Sequence, residues 1–239
     1  MVILVLAMSC GTVSQPSTTP RAASSPTMPA LESCVQPSDM ARAVSFKSPK
    51  GEDVVGAVLG DGAIGVALAN GAQSDLCEWL PYAKKLRDMG RMVLIFDFGF
   101  DVAGDVVGAA SELRRQGVSK LVLVGSSMGG TASLMAATVV TPPVAGVASL
   151  SGPQECGQLD GLAASRHLSI PVLYMAGQSD QQKPFDFPAD ASSMYAACPS
   201  VRKQLLILPG NDHGSDLLAG NAADQASATL EKFISDASA

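Results

Sequence analysis

From residue 43 to near the C-terminus, short uninterrupted apolar runs alternate with stretches whose apolar residues recur at helical spacing. This alternation constrains the fold more than any other feature of the chain. The runs Ala63–Ala69 (AIGVALA), Met92–Phe96 (MVLIF) and Leu121–Val124 (LVLV) have no polar face, as expected of parallel strands buried on both sides. Between them, Trp79, Tyr82, Leu86 and Met89 keep a helical period, with Pro81 in the first turn and Gly90 at the end. Val102, Val106, Ala110 and Leu113 repeat the pattern up to Gly117. Further strands are predicted at Ala43–Lys47, Val54–Leu59, Val144–Leu150, Val172–Met175 and Leu205–Leu208. Further helices are predicted at Met128–Val140 and Ala223–Ile234. Such an order specifies an α/β fold, a mainly parallel central sheet with helices on both faces. No internal repeat appears, and residues 41–239 are expected to form one domain. Only about 20 residues separate Leu150 from Val172, too few for a large cap.

The N-terminal residues have a different character. Residues 1–10 (MVILVLAMSC) are apolar but too short for a membrane-spanning helix, which takes about 20 residues. They suit the apolar part of an export signal. Leu6-Ala7-Met8-Ser9-Cys10 resembles a bacterial lipobox, with the leucine one place too far upstream and no basic residues before it. The resemblance implies lipidation of Cys10, and the missing basic region implies a start codon upstream of Met1. Residues 11–40 begin with a Ser/Thr/Pro-rich tract that cannot bury enough apolar area to order itself, so it reads as a tether and leader. The expected location is outside the cytoplasm, at the cell surface or secreted, touching a membrane only through such an anchor.

Export bears on the cysteines. The chain has five, and setting Cys10 aside leaves Cys34, Cys77, Cys156 and Cys198. In an oxidising compartment these can form two disulfides, and near-neighbour pairing suggests Cys34–Cys77 and Cys156–Cys198. No C-x-x-C pair occurs and there are only two histidines, so a zinc site is not expected. The net charge of −6, without any Lys/Arg cluster, disfavours nucleic acid as a partner.

In a parallel α/β sheet, ligands bind at the carboxyl ends of the strands. The strand LVLV runs into Gly125-Ser126-Ser127-Met128-Gly129-Gly130, a G-x-S-x-G motif between a strand and a helix. The glycines permit a turn tight enough to expose the Ser127 hydroxyl at a helix N-terminus. Ser126 is off the motif position. A serine nucleophile needs a base. His167 precedes a strand and belongs to the wrong end of the sheet, whereas His213 follows the strand Leu205–Leu208. The base needs a carboxylate to hold its tautomer. Asp180 follows the strand Val172–Met175, with Asp97 and Asp212 as rivals. The order Ser127, Asp180, His213 is the one expected of such a site. The N–H of Met128 is one expected oxyanion donor.

These motifs, G-S-S-M-G-G, G-Q-S-D at residues 177–180 and N-D-H-G at residues 211–214, resemble those of bacterial α/β-hydrolases, in particular the small esterase and lipase-like members. The resemblance runs from about residue 43 to the C-terminus. It implies the α/β-hydrolase fold and hydrolysis of a carboxylic ester or related acyl bond through an acyl-enzyme, with neither cofactor nor metal. It also implies Ala72 as second oxyanion donor, since the family's H-G-x loop here reads Asn70-Gly71-Ala72. The short connection after Leu150 suggests an open site, suited to a small-molecule or polymeric ester. A serine peptidase, an acyltransferase and a non-catalytic surface lipoprotein on the same scaffold are the alternative readings.

Overall fold

The computed structural model describes residues 29–239. Cys10 and most of the tether lie outside them. Eight strands form one sheet: β1 (Arg42–Lys47), β2 (Asp53–Leu59), β3 (Ile64–Ala69), β4 (Met92–Phe96), β5 (Lys120–Ser126), β6 (Gly146–Leu150), β7 (Val172–Gly177) and β8 (Lys203–Leu208). Their order is β1-β2-β4-β3-β5-β6-β7-β8. Only β2 runs against its neighbours; every other pairing is parallel. The eight strands coincide with the apolar runs of the sequence to within a few residues.

Six helices cover the sheet: α1 (Leu80–Asp88), α2 (Val102–Arg115), α3 (Met128–Val139), α4 (Gly161–Ser165), α5 (Phe187–Ala197) and α6 (Ala223–Ser238). Helices α2 to α5 pack on one face, where Val106, Leu113, Leu134 and Met194 share one apolar core with Leu121 and Leu123 of β5. Helices α1 and α6 pack on the other, where Leu86, Leu230 and Phe233 share a second apolar core with Val122 and Val124. Successive β5 residues thus feed opposite cores, which is why LVLV needs no polar position. Two short hairpins, Glu155–Cys156 with Leu159–Asp160 and Gln181–Gln182 with Phe185–Asp186, sit in the loops after β6 and β7.

Cys34 and Cys77 form a disulfide, tying the segment before β1 to the short 3-10 helix Leu76–Trp79. The second expected bridge does not form. Cys198 is buried at the end of α5, its Sγ near Leu168 O at 3.5 Å. Cys156 sits half-buried in the hairpin after β6. Proximity in sequence misleads here because β7 and α5 separate the two positions and carry Cys198 into the core.

Candidate active site

The site is built by loops leaving the carboxyl ends of β3, β5, β7 and β8. Ser127 stands between β5 and α3 with φ 49° and ψ −121°, a left-handed backbone that a side chain other than glycine's rarely adopts. The turn is held by Ser127 N–H donating to Leu150 O at 2.8 Å and by Gly130 N–H donating to Ser127 O at 2.9 Å. A Cβ at Gly125 would collide with the Gly129 carbonyl. One at Gly129 would collide with the carbonyls of Ala69 and Asn70, where the turn presses against the end of β3. The motif's two glycines are therefore required by backbone contact, and strain of this kind concentrates at functional sites.

His213 and Asp180 come together from different loops. The His213 Nδ1 lies 3.0 Å from Asp180 Oδ1 and 2.9 Å from Oδ2. The Asp180 side chain is 1% exposed and that of His213 23%. The imidazole also packs on Phe187, the first residue of α5, with ring centroids 4.4 Å apart. The rival aspartates are engaged elsewhere. Asp97 Oδ1 accepts the Leu76 N–H at 2.7 Å, and burial raises the Asp97 carboxyl above its ordinary value. The Asp212 carboxylate lies against Gly220. His167 follows α4 and lines a separate pocket between α2, α3 and α4.

The loop bearing His213 is fastened to the serine turn. Ser215 N–H donates to Ser126 Oγ at 3.1 Å, and a Cβ at Gly214 would collide with that same oxygen. Ser126, off the motif position, is thus the clasp between the two loops. Ser127 and His213 face one cleft of about 600 Å³. No hydrogen bond joins their side chains among the described residues. Apo sites of this kind often carry long catalytic contacts that tighten only with substrate.

Met128, first residue of α3, has an N–H that no helical carbonyl can reach. Ala72 lines the cleft opposite, on a loop shaped by its neighbours. Asn70 Nδ2 donates to Gly71 O at 3.1 Å and to Ser74 O at 2.7 Å. Glu78 Oε2 accepts the Gly71 N–H at 2.7 Å. The Asn70 amide therefore closes the turn that carries Ala72, and Glu78 braces it. Sequence reasoning missed Glu78. Its place on the short 3-10 helix, seven residues beyond Gly71, offers no motif by which to find it. Among the described residues, no group of three His, Cys, Asp or Glu side chains could hold a metal ion.

Solved structures share this overall architecture. An esterase from Pyrococcus furiosus superposes with a TM-score of 0.73 at 13% identity, covering 87% of this chain and 98% of its own. The chain has the α/β-hydrolase fold. An esterase from Thermogutta terrifontis gives 0.64 at 17% identity, covering 83% of this chain and 100% of its own. A dienelactone hydrolase from Anabaena variabilis gives 0.65 at 24% identity, covering 80% and 94%. No family model and no curated protein matches the sequence.

Proposed function

We propose that the protein is a serine hydrolase that cleaves carboxylic esters, with Ser127, His213 and Asp180 as its triad. The observation that carries this reading is the strained Ser127 turn facing the same cleft as an imidazole whose Nδ1 is held by a buried carboxylate. Asp180 keeps the Nδ1–H tautomer, leaving Nε2 free to accept the Ser127 proton. The Ser127 oxygen attacks the ester carbonyl, and the oxyanion forms against the N–H groups of Met128 and Ala72. Collapse expels the alcohol, which takes its proton from His213. Water then attacks the acyl-enzyme, with His213 again as base, and releases the acid and Ser127. The esterase and dienelactone hydrolase neighbours support ester hydrolysis as the reaction class.

The reading is tested with a fluorophosphonate probe and 4-nitrophenyl esters. The wild-type protein becomes labelled and hydrolyses the ester, and Ser127→Ala does neither. An unlabelled wild-type protein, or label that survives Ser127→Ala, overturns it. Amide substrates run in parallel separate an esterase from a peptidase.

Export is proposed as well. The Cys34–Cys77 disulfide supports an oxidising compartment, and no described helix is long and apolar enough to cross a membrane. A diacylglyceryl adduct on Cys10 in the mass spectrum of the natural protein would establish the anchor; a mature N-terminus elsewhere removes it.

A further inference from the structure

The cleft that holds Ser127 and His213 is also lined by two carboxylates, Glu78 and Asp216, and among the described residues by no lysine or arginine. Neither carboxylate takes part in an ion pair among those residues. Lys85, on α1, is engaged by Glu231 at 2.5 Å. Lys183, in the hairpin after β7, is exposed and does not line the cleft. The walls around the nucleophile therefore carry negative charge with no cation to balance it.

Glu78 stands close to the reacting centre. A Cβ built at Gly71 would lie 3.5 Å from Glu78 Oε2 and 3.6 Å from Ser127 Cβ, so those two atoms are no more than about 7 Å apart. The carboxylate accepts one backbone N–H, that of Gly71, through Oε2, and its Oε1 is buried without a hydrogen-bond partner among the described residues. One N–H does not cancel a full charge, and a half-buried charge is screened less than one in open water. Asp216 is exposed, so solvent and salt weaken its field more. The charge that develops on the ester oxygen is common to every ester and sets no preference among them. A further negative charge on the substrate meets a repulsion that a neutral ester escapes, and a repulsive element of this kind discriminates as effectively as an attractive one. The field acts through space, so the discrimination requires no direct contact with Glu78.

We propose that Glu78 is a specificity-determining residue that excludes esters bearing a negative charge near the scissile bond, so that the substrate class is neutral and cationic esters. The assignment rests on the ester-hydrolase reading above. Ethyl succinamate and monoethyl succinate test it, because they have the same shape and differ by one negative charge at neutral pH. The wild-type kcat/KM for the neutral ester exceeds that for the anionic one by about tenfold or more. Glu78→Gln keeps an oxygen that can accept the Gly71 N–H and removes the charge; it lowers the ratio about threefold or more. Asp216→Asn lowers it less. The ratio is independent of the active fraction, and the intrinsic reactivity of the two esters cancels between variants, so neither partial misfolding nor a merely structural role for Glu78 imitates the effect. A wild-type ratio near one overturns the proposal. A ratio unmoved by Glu78→Gln also overturns it, whether or not Asp216→Asn moves it, since the discrimination then has another source. Equal turnover of the two ethyl esters sinks the charge selection and leaves the esterase reading standing. Failure to hydrolyse both of them and 4-nitrophenyl acetate removes both readings.

Discussion

Asp97 and Asp180 each leave the carboxyl end of a strand on the same rim of the sheet, the first after β4 and the second beyond β7. Asp97 meets a backbone N–H, that of Leu76, and fastens the 3-10 helix behind the cleft. Asp180 meets an imidazole that fronts the cleft. The same residue type at equivalent positions braces a loop in one case and holds a base in the other. The partner brought by a distant segment makes the difference, so each carboxylate has its own measurable signature.

The comparison breaks first at Asp180. Asp180→Asn is expected to lower kcat on 4-nitrophenyl butyrate by about 10⁴-fold, because the amide favours the wrong imidazole tautomer. Circular dichroism should show an unchanged fold. A loss under tenfold would mean that another carboxylate serves His213. Asp97→Ala is the counterpart. It leaves the Leu76 N–H without its acceptor and should cost about 1–3 kcal/mol in urea unfolding, with kcat unchanged. A large fall in kcat at native stability would place Asp97 in the chemistry instead.

The brace around Asp97 has a covalent component. Cys34 and Cys77 are 43 residues apart, and Cys77 adjoins Leu76. Replacing both cysteines with alanine should cost about 2–4 kcal/mol of stability. Ester kcat should fall less than the Asp180→Asn value, since no triad group is touched. Equal losses would show that the 3-10 helix and the triad form one unit.

The smallest expected effect sharpens the comparison through a third carboxylate on this rim. Asp105, in the first turn of α2, accepts the Gly99 N–H at 2.7 Å, and burial pushes its carboxyl up to about 6. Glu52 and Asp101 push in the same direction, and Lys50 opposes them. The folded state therefore holds this proton more tightly than the unfolded state. Its stabilising contribution is complete below about pH 4 and is lost as pH rises through about 6. The melting temperature of Asp105→Asn relative to the wild-type protein should rise across that window. A flat difference would mean that Asp105 is ionised throughout.

The strands were legible because burial on both faces demands unbroken apolar runs, and each run survives as a pattern in the chain. Helix α5 was not. Its sequence, FPADASSMYAA, is small and weakly amphipathic, so no apolar stripe announces it. Yet this helix carries Phe187 against His213 and Cys198 into the core, which is why its omission went with a wrong cysteine pairing. Trp79 and Tyr82 were visible as positions on a helical face, and Glu78 not at all.

The sequence by itself determined what local geometry controls: the order of strands and helices, and a serine turn whose two glycines answer to backbone contact within a few residues and at the adjoining strand. Tertiary structure alone decided that Cys156 and Cys198 stay apart, that Asp97 turns to a backbone N–H, and that Ser126 clasps two loops while Glu78 braces a third. Periodicity and turn chemistry are properties of neighbouring residues, read at short range. Hydrogen-bond partnership between loops depends on where the sheet delivers them, and no short stretch of chain contains that information.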